Sequence, residues 1–291
     1  MSKLIFGCGY LGGGVARLWR QAGHEVFVVT RSSDRAHAIT AEGYRAIVAD
    51  VLRPSTLANL PAADTVLYAI GYDRGYVGIT GASMHEVYVD GLRAVLGALP
   101  AATGKFIYVS STGVYGQSGG ETVDEDSLCE PTREGGRACL AAEAVLAADR
   151  LGNRAIVLRM AGLYGPGRIP NAAEVRRGRP LAVPASGCLN LIHIDDAAAV
   201  VVAASERARP PRTFLVSDGH PVERREYYTQ LARLLGVKSP AFVSPPANDP
   251  AAIRSSADKR VSNARMVAEL AVLLNYPSYR EGLAAIVAAE T

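Results

Sequence analysis

The stretch Leu4-Ile5-Phe6-Gly7-Cys8-Gly9-Tyr10-Leu11-Gly12-Gly13-Gly14-Val15 decides the fold. A short apolar run leads into a GxGxxG turn. Val15, Leu18, Trp19 and Ala22 then recur at the i, i+3, i+4, i+7 spacing of an amphipathic helix. Gly23 reads as its C-cap, and Glu25–Thr30 as a second strand. Strand, glycine turn, helix and strand within about 30 residues are the context a dinucleotide-binding fingerprint requires. Gly7 permits the tight turn, Gly9 lets a pyrophosphate approach the backbone, and Gly12 lets helix and strand pack closely. Tyr10 and Leu11 open the helix, whose unpaired N–H groups and partial positive charge favour phosphate. The alternative is a tight turn with no ligand.

Where the second strand runs out, the chain reads Thr30-Arg31-Ser32-Ser33-Asp34-Arg35. A carboxylate here would bond the ribose 2′-hydroxyl of NAD, whereas arginine accommodates the 2′-phosphate of NADP. Arg31 stands where the acid would be expected and Arg35 follows, so the pattern favours NADP(H) over NAD(H), with Ser32 in the same site. Two alternatives stay open: the arginines are solvated loop charges, or the turn folds so that Asp34 serves the ribose. Asp50 and Val51 follow a third apolar run and are candidates for the adenine side, a helix N-cap being the other use of Asp50. Ala69, Ile70 and Gly71 close a fourth run and would flank the pyrophosphate and ribose, and Ser110, ending a fifth, completes the set.

Composition narrows the function classes. At about 150 residues per domain, 291 residues predict two domains, or one with an added lobe. A chain 49% hydrophobic and 20% charged is neither disordered nor low in complexity. Its net charge of +3 is spread along the chain, with no footprint for nucleic acid and no polybasic run for a membrane surface. Apolar stretches fall short of the ~20 residues of a spanning helix. Met1-Ser2-Lys3 leads directly into the first strand, so no signal peptide is expected. Cys8, Cys129, Cys139 and Cys188 lack CxxC spacing, and the five histidines lack zinc spacing. The expectation is a cytoplasmic protein with a small-molecule substrate and no metal, its oligomeric state open.

Buried-strand and helix signals alternate as far as Leu158, with helices expected over 85–99 and 135–151. Continuous apolar strands between helices imply a parallel sheet covered on both faces. Beyond, Gly and Pro break the rhythm; helices are expected over 195–207 and 222–235, a strand over 213–216, and a Pro/Ser-rich linker over 239–250. The architecture expected is α/β: a Rossmann-type doubly wound parallel sheet over 1–165, and a smaller C-terminal substrate-binding lobe over 166–291 from which about 190–217 returns to the first domain.

Four motifs occur in order: the loop Gly7 to Gly12, Tyr108-Val109-Ser110-Ser111-Thr112-Gly113-Val114-Tyr115-Gly116, Arg159-Met160-Ala161-Gly162-Leu163-Tyr164-Gly165-Pro166-Gly167, and Leu191-Ile192-His193-Ile194-Asp195-Asp196-Ala197. The series resembles the NAD(P)-dependent epimerase/dehydratase family, the extended short-chain dehydrogenase/reductases, over nearly the whole chain. The resemblance implies an oxidoreductase or epimerase acting on a small polar or nucleotide-sugar-like substrate. It also implies a Ser or Thr that bonds the substrate oxygen, which Ser111 matches best with Thr112 beside it. A strand-end turn bonding its own backbone is the other use of these hydroxyls.

The family's YxxxK pair is absent. Aligning on Pro131 and Glu143 puts Gly135 at the Tyr position and Cys139 at the Lys position, and no Tyr lies between Tyr115 and Tyr164. The chain is similar to an atypical branch in which cofactor binding persists without the dyad. Arg133 or Arg137 could supply charge, Tyr115 or Tyr164 a phenol, and Cys139 a thiolate if its pKa were lowered; packing is the alternative for Tyr115, Tyr164 and Cys139. Asp195 or Asp196 is expected to N-cap the Ala-rich helix that follows His193. A non-catalytic NAD(P)-binding redox sensor or regulatory protein is the competing function.

Overall fold

The computed structural model describes residues 1–73, 75, 78, 80–244 and 257–290. The linker expected over 239–250 therefore lies partly outside the described residues. The first half alternates as expected: β1 (Ser2–Phe6), α1 (Tyr10–Gln21), β2 (Glu25–Thr30), α2 (Ser33–Ala41), β3 (Arg45–Val48) and β4 (Thr65–Tyr68). A π-helical turn, Glu86–Asp90, runs into α3 (Gly91–Ala98), so the helix expected over 85–99 opens in a wider register. Then come β5 (Lys105–Ser111), β6 (Glu121–Val123), α4 (Glu134–Ala148), β7 (Ala155–Met160) and β8 (Gly162–Tyr164). The remainder comprises α5 (Ala172–Arg176), β9 (Cys188–Leu189), β10 (Leu191–His193), α6 (Ile194–Arg207), β11 (Arg212–Val216), β12 (Val222–Glu223), α7 (Arg224–Leu234), β13 (Lys259–Val261), α8 (Ala264–Leu270) and α9 (Tyr279–Glu290). Val222 and Glu223, expected to start a helix, instead pair with β9.

Seven strands form one sheet in the order β11-β7-β5-β4-β1-β2-β3, with β1–β2, β1–β4, β2–β3 and β4–β5 parallel. Sequence order reverses between β1 and β4, the switch point of a doubly wound sheet, where ligands bind beyond the strands' carboxyl ends. Leu4, Ile5 and Phe6 are fully buried, because helices cover both faces of a central parallel strand. The Tyr68 ring packs among those of Phe6, Phe106 and Tyr108 at centroid distances of 6.0–6.3 Å. Among the described residues, no helix is long and apolar enough to cross a membrane.

Two compact units divide the chain, each made of three segments. The first is Met1–Ser111, Glu134–Arg159 and Ala198–Phe214; the second is Thr112–Arg133, Met160–Ala197 and Leu215–Thr291. Residues 112–133, which the sequence places with the first domain, thus cluster with the second. The cause is pairing: β6 lies parallel to β13, and the Glu125 carboxylate accepts the Leu215 N–H at 2.8 Å. Of the returning stretch expected over 190–217, residues 198–214 belong to the first unit.

The second unit has its own core around Tyr164, Tyr227, Tyr279 and Leu283. Gly282 is required there, since a β-carbon would meet the Tyr164 hydroxyl at 2.1 Å. Asp196, expected as a possible helix cap, serves otherwise. Fully buried, it accepts the backbone N–H groups of Asn275 and Tyr276 at 2.8 and 2.9 Å, and so ties down the segment before α9. The ring of Tyr276 then lies 3.8 Å, centroid to centroid, from that of His193.

Candidate functional site

The first loop is built by exclusion. Gly7 has φ +89°, and a β-carbon there would lie 2.4 Å from the Ala69 carbonyl oxygen. One on Gly12 would lie 2.2 Å from the Gly7 carbonyl, which is why α1 can pack so closely on β1. At Gly9 a β-carbon would meet nothing within 4 Å. Ala69 is thus the surface against which the turn closes, and Gly9 faces open space. Gly9 is also the N-cap of α1, with no capping side chain and no acid in the first turn. The N–H groups at the start of α1 are therefore oriented for an anion. Leu11 is buried and contributes only backbone to that end, while Tyr10 is at the surface.

Beyond the strand ends of the first unit lies a pocket of about 420 Å³, within the ~300–1,000 Å³ typical of small-molecule sites. Gly7, Cys8 and Gly9 form one wall, Thr30, Arg31 and Arg35 a second, Asp50, Val51 and Leu52 a third, and Ile70, Gly71 and Asp73 a fourth. It brings together eight of the residues read from sequence as a cofactor set: Gly7, Gly9, Arg31, Arg35, Asp50, Val51, Ile70 and Gly71.

Local chemistry fixes the charged members. The Ser32 hydroxyl caps α2 by accepting the Arg35 N–H at 3.2 Å, so Ser32 acts by starting the helix that aims Arg35. The Arg35 guanidinium reaches back to donate to the Cys8 carbonyl at 2.8 Å, joining the end of β2 to the glycine loop. Burial pushes the Cys8 thiol up from its ordinary pKa, against the pull of Arg35, so the loop carries no thiolate at neutral pH. Arg31 pairs with Asp73 at 3.0 Å. Asp50 is buried, and one carboxylate oxygen accepts the Leu52 N–H at 3.0 Å, shaping the turn after β3. Asp73 is not visible as a site residue in the sequence; only its position just after Gly71 at the end of β4 points to it.

The hydroxyl residues fall elsewhere. Ser110 is buried and donates to Glu143 at 2.5 Å, and Glu143 in turn receives Arg159 at 2.7 and 3.1 Å. That network joins β5, α4 and β7, so the Ser110 hydroxyl is spent inside the first unit. Ser111 ends β5, and Thr112 opens the 3-10 turn Thr112–Val114. α4 carries neither Tyr nor Lys. Of the substitutes, Tyr115 and Tyr164 are buried, and burial raises the Tyr164 phenol well above its ordinary pKa. Cys139 is buried and its pKa is pushed up to about 11, first by desolvation and then by Glu143; it is a packed thiol rather than a nucleophile.

The pocket fits a dinucleotide on its own features: the open β-carbon site at Gly9, the uncapped helix start and the adjacent cations. The comparisons agree. The chain is 28% identical over 194 residues to protein YeeZ of Escherichia coli (strain K12), an alignment covering 66% of each chain. It is also 28% identical over 309 residues to the 3-diazoavenalumate denitrifying reductase of a Streptomyces species, covering 97% of this chain and 99% of that one. A solved structure from Methylobacillus flagellatus, assigned to the NAD-dependent epimerases/dehydratases, is 33% identical with a TM-score of 0.79, covering 99% of this chain and 98% of that one. Residues 4–217 match the NAD dependent epimerase/dehydratase family, and the chain belongs to it.

Proposed function

We propose that the protein is an NADP(H)-dependent oxidoreductase of a small polar, carbonyl-bearing substrate of the nucleotide-sugar kind. The observation that carries the cofactor choice is the placement of Arg31 and Arg35 together in the pocket wall at the end of β2. Asp73 does not cancel them. Its pair with Arg31 is half exposed, and such pairs contribute at most about 1 kcal/mol. A 2′-phosphate offers charge-assisted, forked bonds of about 1.5–3 kcal/mol and displaces the carboxylate. An NADPH held here by the glycine loop, Arg31 and Arg35 would supply the hydride; the chain supplies binding, orientation and the proton. The full-length similarity to a reductase supports the direction of the chemistry.

Fluorescence titration with NADPH and NADH tests this reading. The protein should bind NADPH more tightly, and Arg31→Ala should weaken NADPH about 10–100-fold while leaving NADH nearly unchanged. Equal curves for the two cofactors in the unmutated protein would overturn the preference. The second reading, a dinucleotide-binding sensor without turnover, is favoured by one observation, the lack of Tyr and Lys in α4. Tight NADPH binding with no oxidation against a broad panel of carbonyl compounds would establish it.

A further inference from the structure

Two helical faces meet at the positions that the resemblance assigns to the family's dyad. Gly135 and Cys139 lie one helical turn apart on α4. A β-carbon on Gly135 would come within 3.7 Å of the Met84 sulfur, and Cys139 lies near enough to Tyr88 to add to the upward shift that burial gives the phenol's pKa. Met84 and Tyr88 are also four residues apart, so the two i, i+4 pairs oppose each other. Tyr88 is the middle residue of the π-turn Glu86–Asp90. Single π-turns shift side chains out of helical register and recur at functional sites.

The phenol is held in a specific way. Its oxygen accepts the Tyr72 N–H at 3.0 Å, and Tyr72 directly follows Gly71 of the nucleotide pocket. The Tyr72 hydroxyl is itself fixed on the Ala82 carbonyl at 3.2 Å. Among the described residues, no acceptor takes the Tyr88 hydroxyl proton. Tyr68 and Tyr108 nearby differ, being sealed in the core. Tyr88 is only partly buried, and its hydroxyl lies against Tyr72, four residues past the carboxyl end of β4, the end at which open α/β folds bind their ligands.

We propose that Tyr88 is the proton donor of this enzyme, in place of the dyad tyrosine. The proposal rests on the NADP(H) oxidoreductase reading above. The substrate carbonyl carbon accepts a hydride from the reduced nicotinamide, forming the new C–H bond. The π pair of the C=O bond takes the Tyr88 proton and becomes the alcohol O–H. The substrate gains two electrons, the cofactor loses two, and the phenolate is reprotonated by water. The Tyr72 N–H stabilises the charge left on the phenolate, as an oxyanion donor does. Burial raises the phenol above its ordinary pKa, so at neutral pH it is an acid with its proton in place.

Three measurements on the full chain test the role. Tyr88→Phe should bind NADPH within about twofold of the unmutated protein, while oxidation of NADPH by 9,10-phenanthrenequinone should fall roughly 10²–10⁴-fold, the usual cost of losing a general acid. Tyr88→His keeps an acceptor for the Tyr72 N–H; it should recover part of the rate with an optimum moved to lower pH. Without turnover, phenolate absorbance near 295 nm, as the difference between the unmutated protein and Tyr88→Phe, should show a phenol whose pKa falls on adding NADP⁺, because a cationic ring nearby favours phenolate. Failure to bind either cofactor would sink the oxidoreductase reading itself. Normal binding with Tyr88→Phe turnover within threefold of the unmutated protein, or a Tyr88 titration that NADP⁺ leaves in place, would overturn the role of Tyr88 alone.

Discussion

At Gly7 and Gly12 an added β-carbon would collide with backbone at 2.4 and 2.2 Å, whereas at Gly9 it would meet nothing. The same residue type thus has two uses in one loop. Gly12→Ala must push α1 off β1 and should destabilise by about 1–3 kcal/mol, read as a lower denaturant midpoint. Gly9→Val should stay folded by circular dichroism, with only the modest stability cost of a poorer helix N-cap, but lose dinucleotide affinity at least tenfold, because its side chain would fill the space a pyrophosphate would take. Unchanged affinity for Gly9→Val would mean that the loop is only a turn. The steric roles of Gly7 and Gly12 are legible in the sequence because each follows from backbone geometry within a few residues. Those of Asp73 and Tyr88 are not, since what matters about them is which distant group they meet: Arg31 for one, the Tyr72 amide and Cys139 for the other.

Strands are the elements the sequence reveals best, because a central parallel strand needs an unbroken apolar run and Leu4-Ile5-Phe6 is one. The π-turn at Glu86–Asp90 has no such signature; 85–99 carries ordinary helical periodicity, and nothing in it marks where the register widens. Periodicity places α4, but the task of Glu143 within it is not evident from the sequence. That carboxylate bridges Ser110 and Arg159 with the Glu143 and Arg159 side chains each about 10% exposed. Glu143→Gln takes the anion from a buried ion pair and should destabilise by about 3–5 kcal/mol. Ser110→Ala removes one charge-assisted bond and should cost about 1.5–3 kcal/mol. Glu143→Leu combined with Arg159→Met should recover much of the loss. Urea midpoints measure all three, and a double variant no more stable than Glu143→Gln would show that the network does more than satisfy its own charges.

At the scale of the whole molecule, the chain alternates between two compact units, an arrangement that a linear reading of domains as consecutive blocks does not reveal. Pairings such as Glu121 with Lys259 join residues far apart in sequence, and no local pattern announces them. The candidate nucleotide pocket lies in the first unit, while Asp218 and Lys259, whose pKa values burial shifts towards neutrality, lie in the second. Desolvation pushes the Asp218 carboxyl up to about 7, and His220 partly opposes it. Desolvation, aided by Arg133, brings the Lys259 ammonium down to about 8, although it donates to the Tyr115 carbonyl at 2.7 Å. The two act on stability in different pH windows. Asp218 has a folded pKa above its unfolded value of 3.8, so its contribution is complete below that value and is lost as pH rises towards 7. Lys259 has a folded pKa below its unfolded value of 10.5, so its contribution is complete above that value and is lost as pH falls towards 8. Asp218→Asn retains an oxygen for the His220 N–H, which Asp218 accepts at 2.9 Å. It should therefore gain on the unmutated protein by on the order of 2 kcal/mol between pH 5 and 8, since each tenfold difference in proton affinity is worth about 1.4 kcal/mol. Lys259→Met should lose a similar advantage as pH rises from about 8 to 10. Urea unfolding of the three proteins across this range gives both slopes. A stability difference for Asp218→Asn that stays flat from pH 5 to 8 would mean that Asp218 is already ionised in the folded chain.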